Sequence, residues 1–206
     1  MITSTPPISR RMERGILILF VAAATVIGLA LLLPPVRQLV LIASGETPVS
    51  LLTSAELPHA GVSDAGAAIT SGTFEMSRVV ATGLGDGARW LIALGVAFGA
   101  LTAAVTAGAV AYFLLLLLWK RPFHRSLIVA TQIAGGALLI GSILSAGLGG
   151  LGRMMAASEL NPIADDVFVV GFTFDPNVLL AGLAVLALSF VFDRGTKLQR
   201  DTTGLV

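Results

Sequence analysis

Few residues in this chain are of a type that does chemistry. It has two histidines, His59 and His124, far apart in sequence, and no cysteine. Thiol chemistry is therefore excluded and a His/Cys metal site is not expected. Asp165 and Asp166 are adjacent acids, an arrangement that is usually solvated. The run GLGGLG at 147–152 matches G-x-G-x-x-G through Gly147, Gly149 and Gly152. A dinucleotide fingerprint needs a strand before it and a helix after it. Here the match closes an apolar run and reads as packing and helix termination. H-E-x-x-H, G-x-S-x-G and Walker A motifs are all missing, as are paired carboxylates inside the apolar runs. No catalytic residue, cofactor or metal ligand is assigned, and a non-enzymatic protein is expected.

Milder polar groups remain inside the apolar runs: Thr25, Thr102, Thr106, Gln132, Ser142 and Ser145. Thr102, Thr106, Gln132 and Ser145 are the candidate lining of a polar path. Gln132 is the costliest of them to expose to lipid and is expected to hydrogen-bond another helix. Small residues recur more regularly. Ala137, Gly141, Ser145 and Gly149 fall at every fourth position, and Gly95 and Gly99 form a G-xxx-G pair followed by Ala103. Such stripes let helix backbones approach closely in lipid, where apolar burial no longer drives association. They are expected to pack two helices together, contact with a second copy of the chain being the alternative.

The elements that must position these residues follow from composition. Of 206 residues, 55% are hydrophobic and only 12% charged, with a mean hydropathy of +0.91. Soluble domains are about 25% charged, so lipid is the expected solvent. A net charge of +1 leaves no concentrated basic face for direct nucleic-acid binding. Four runs are long enough to cross a hydrocarbon core of about 30 Å. They are 15–33, ended by Pro34 and Pro35; 90–119; 127–152; and 176–192, opened by Asp175 as N-cap and Pro176.

Charge orients them. Nine of the thirteen basic residues flank the same side, in segments 1–14, 120–126 and 193–206, against three acids; the segments 34–89 and 153–175 carry four arginines and nine acids. The basic side marks the cytoplasm. The expected architecture is a mainly α membrane protein: a four-transmembrane-helix bundle, both termini cytoplasmic, multi-pass in a bacterial cytoplasmic membrane. A signal peptide at the start is the rival reading, but the apolar run is long for one and no small-x-small cleavage site follows it directly. Trp90 and Trp119 fall at opposite ends of the second span, as interfacial anchors do.

In the outer segments, AAITSGTFEMSRVV partly alternates, and RQLVLIAS and DVFVVGFTF are rich in branched and aromatic residues. All three read as strands, giving a small extracytoplasmic β unit built from both outer loops.

The ending VFDRGTKLQRDTTGLV turns abruptly from apolar to charged. Arg194, Lys197 and Arg200 can meet anionic headgroups, each contributing about 1 kcal/mol. Through Val191, Phe192, Arg194, Gly195, Leu198, Asp201, Leu205 and Val206 this ending resembles that of bacterial membrane proteins in domain-of-unknown-function family 2975. RPFHRSLIVATQIA at 121–134 is similar to a second hallmark of that family, Pro-Phe opening the third span, although the polar positions that often follow are largely apolar here. Asp193 also departs, a basic residue being common there. Members are often encoded beside a small helix-turn-helix regulator. The resemblance therefore implies a membrane protein that holds or signals to such a cytoplasmic partner, with Arg121, Pro122, Phe123, Phe192, Arg194, Gly195, Leu198 and Asp201 as the candidate partner-facing residues. A regulatory or sensory protein is the first expectation. A small permease, channel or export subunit is the second, and a structural or immunity-type membrane protein the third.

Overall fold

A computed structural model describes residues 10–56, 72–119 and 125–203. Four long helices, α1 (Arg10–Ala43), α2 (Asp86–Leu118), α3 (Arg125–Leu160) and α4 (Pro176–Thr203), alternate with three strands, β1 (Glu46–Thr53), β2 (Met76–Thr82) and β3 (Phe168–Val169). Each helix is long and apolar enough to cross a membrane. Their outward surface is apolar too: Leu19, Leu33 and Phe190 are each about two-thirds exposed. Side chains of this kind on the outside fit a lipid surround and not water.

The chain divides into two compact units. The first, from Met1–Pro34, Ala100–Ser142 and Pro176–Val206, is helical in its described elements. Within it, small residues sit where helices meet. A Cβ on Gly28 would fall 2.8 Å from that of Ala107, and one on Gly182 would fall 3.0 Å from the side chains of Leu138 and Leu139. The Tyr112 hydroxyl meets that of Ser126 at 2.8 Å, tying the end of α2 to the start of α3.

The second unit, Pro35–Gly99 and Ile143–Asp175, contains the sheet. Its order is β2-β1-β3, with β1 paired antiparallel to β2 from Glu46↔Thr82 to Leu52↔Met76. β3 meets β1 only at Leu52 and Thr53. The core of this unit joins the sheet to helix ends through Ile42, Val49, Leu51, Ala81, Leu84, Ile92, Ala156 and Ala157. The three strands come from both segments expected to form a β unit, but their places differ in part.

RQLVLIAS is not a strand. It completes α1, whose helix continues past Pro34 and Pro35 to Ala43. The prolines deprive the carbonyls of Ala30 and Leu31 of their donors, yet proline's φ is helical, and extending an existing helix needs no new nucleation. Propagation outweighs the β preference of the branched residues. The turn that ends α1 uses Gly45, whose φ of +96° is a conformation that L side chains rarely adopt. DVFVVGFTF supplies only the two residues of β3, and AAITSG lies mostly outside the described residues. α3 passes through GLGGLG and on to Leu160, so Gly149, Gly150 and Gly152 serve close packing without ending the helix, while Gly147 has open space beside it.

β1 itself, ETPVSLLT, carries Pro48, a residue that argues against a central strand. Thr53 N–H donates to Glu75 O, so odd residues of β1 face β2 and even ones face the other edge. Pro48 thus turns its missing donor to a side where β3 does not reach. Its carbonyl accepts instead from Gln38 Nε2 of α1 at 3.0 Å.

Candidate functional site

The α2–α3 seam in the sheet-bearing unit is made of backbone. A Cβ on Gly95 would lie 2.6 Å from Gly149 N and 3.0 Å from Ser145 O, and one on Gly99 would lie 2.9 Å from Ser145 Oγ. Ser145 Oγ donates to Gly95 O at 2.8 Å. In the helical unit, a Cβ on Gly141 would overlap Thr102 Oγ1, and that hydroxyl reaches Ala137 O at 3.5 Å. Thr106 Oγ1 donates to Thr102 O at 2.8 Å within its own helix. Gly95, Gly99, Ala137, Gly141, Ser145 and Gly149 thus all stand at helix contacts.

The candidate path residues have other engagements. Thr102, Thr106 and Ser145 each direct the hydroxyl to a backbone carbonyl. Gln132 is exposed on α3 and, among the described residues, forms no hydrogen bond to another helix. Its primary amide faces outward because the neighbouring small residues, and not Gln132, occupy the contact side.

Of the candidate partner-facing residues, Arg121, Pro122 and Phe123 lie outside the described residues, as do His59 and His124. Phe192 and Gly195 are half-buried and Arg194 is exposed on α4, which continues as helix through Leu198 and Asp201 to Thr203. Trp90 and Trp119 are both well exposed, at 69% and 61%. Asp165 and Asp166 take left-handed backbone conformations, φ 49° and 55°, in the turn before β3. Among the described residues no cluster of His, Cys, Asp and Glu could hold a metal ion.

A feature that sequence reasoning did not single out lies directly on the seam. A cavity of about 210 Å³ is lined by Gln38 of α1, Pro48 and Ser50 of β1, Ile92 and Gly95 of α2, and Ser145, Gly149 and Arg153 of α3. All belong to the sheet-bearing unit. The half-buried Arg153 donates from Nε to Gly149 O at 3.2 Å and pairs with no carboxylate among the described residues. Arg89, the other half-buried arginine of this unit, has its terminal nitrogens engaged, although its Nε is buried without a partner among the described residues. It reaches Asp86 Oδ1 at 3.4 Å and Ile42 O at 3.1 Å. No family model, curated protein or solved structure matches the chain.

Proposed function

We propose that this chain is a non-enzymatic sensory or regulatory protein of the bacterial cytoplasmic membrane. The sheet-bearing unit faces outward, and the basic segments before α1, between α2 and α3 and at the end of α4 face a small cytoplasmic helix-turn-helix regulator. One contrast carries the sensory part. Along the helices the hydroxyls of Thr102, Thr106 and Ser145 are spent on backbone carbonyls, whereas a polar cavity with an arginine that meets no carboxylate among the described residues sits against the sheet. A transport path would need those hydroxyls free to exchange with a permeating solute. The charge asymmetry supports the orientation, and the family-like ending of α4 supports the partner and the membership in domain-of-unknown-function family 2975.

Capture of the full chain from its native membrane tests the partner assignment. A small DNA-binding protein should copurify with it and be lost when residues 193–206 are deleted. Equal recovery after the deletion would refute the role of the tail.

A further inference from the structure

The cavity on the α2–α3 seam supports one more step, which rests on the sensory reading above and names what is sensed. We propose that it binds a small oxyanion, a carboxylate or phosphate group, with Arg153 as the counter-charge. The Arg153 Nε is used on Gly149 O, while its two terminal nitrogens have no acceptor among the described residues. Ser50 lines the same space and its hydroxyl bonds to no described residue. Gln38 spends one amide hydrogen on Pro48 O and keeps the other. The Ser145 hydroxyl hydrogen is committed to Gly95 O.

The cavity therefore presents several free donors, one of them cationic, and no carboxylate. A partly desolvated guanidinium without a counter-ion is unfavourable, and a planar fork of N–H groups matches an oxyanion in geometry. Arg89 makes the contrast within the same unit, since its charge already meets Asp86. The volume of about 210 Å³ corresponds to roughly seven waters at about 30 Å³ each. That suits inorganic phosphate, a short carboxylate or one lipid headgroup, and is too small for a nucleotide. Arg153 and Ser50 are both half-buried, so the space communicates with the surroundings.

The test uses the purified full chain in phospholipid-free detergent, with thermal unfolding followed while inorganic phosphate or acetate replaces chloride at constant ionic strength. A ligand of the folded state raises the midpoint with concentration. Half the maximal shift should need at least about tenfold more anion in Arg153→Gln, the loss expected for a charge-assisted hydrogen bond, with a smaller change in Ser50→Ala and partial retention in Arg153→Lys. Native mass spectrometry of protein taken from phosphatidylglycerol nanodiscs separates the two sources. A phospholipid retained by the wild type and lost in Arg153→Gln assigns the oxyanion to a headgroup. A response to free phosphate or acetate without retained lipid assigns it to a soluble ligand. Should Arg153→Gln not fold, the wild type decides: no midpoint shift beyond chloride and no retained lipid overturns the proposal. Equal behaviour of a folded Arg153→Gln and the wild type overturns it as well. No cytoplasmic partner is present in these measurements, so failure to capture a regulator and failure to bind an anion are separate results.

Discussion

Gly95 and Gly108 lie on the same helix and should respond in opposite directions to the same methyl group. At Gly95 a Cβ meets the backbone of Gly149 and Ser145, which cannot rotate away. Gly95→Ala should force α2 and α3 apart and cost about 1–3 kcal/mol, the usual range for overpacking. The loss would be seen as a lower unfolding midpoint in detergent. At Gly108 nothing lies within 4 Å. Gly108→Ala should be neutral or stabilise by up to about 1 kcal/mol, through the reduced backbone entropy of the unfolded chain. Stabilisation by both would mean that helix propensity, and not close approach, governs these positions. The small-residue stripes were open to reading because a spacing of four announces one helix face. The cavity was not. Gln38 and Ser50 come from consecutive elements but Arg153 lies about a hundred residues further on, and it counted beforehand only as one of four arginines in the outer segments.

Among the elements, β3 is the most lightly held, with two residues paired to β1. On its other edge one side chain braces it: Asn161 accepts from Phe168 N–H at 3.0 Å and donates to Phe168 O at 2.9 Å, acting as a strand partner would. Asn161→Ala removes both bonds and should destabilise this corner by about 1–3 kcal/mol. Amide exchange should quicken at Val167 and Phe168, while the middles of α2 and α3 stay protected. Unchanged exchange at Phe168 would show that β3 is held by other means. The same corner marks where sequence reasoning on elements stopped working. RQLVLIAS has the composition of a strand, but it follows an established helix whose register already buries Ile42. ETPVSLLT looks unsuitable because of Pro48, and its fitness as the middle strand depends on β3 being too short to need the absent N–H. Both outcomes turn on neighbours that local pattern does not contain. α4 offered no such ambiguity, since Asp175-Pro176 is a start signal that needs no tertiary context.

At the scale of the molecule, the four helices are each able to cross a bilayer, and the proposed orientation makes a prediction that the chain is well suited to test. It has no cysteine, so a single introduced thiol reports one position only. Ser4→Cys and Thr203→Cys should react with a membrane-impermeant maleimide only after cells are opened. Ser63→Cys, in the long segment between β1 and β2, should react in intact cells. Labelling of either terminal segment from outside would reverse or break the four-crossing arrangement. The overall class was legible because composition alone sets the solvent: a chain with 12% charge cannot clothe a water-facing globule. The orientation rests on counting basic residues near helix ends, a statistical regularity of insertion and not a contact within the fold.

The bond from Gln38 to Pro48 joins residues ten apart, whereas that from Ser145 to Gly95 joins residues fifty apart. During synthesis the α1–β1 corner can close once a short stretch beyond α1 has emerged, long before the ribosome has made α3. Loop closure over ten residues takes on the order of tens of nanoseconds, so this corner is available as a nucleus throughout the remainder of translation. The lip of the cavity would then be built first and its arginine delivered last.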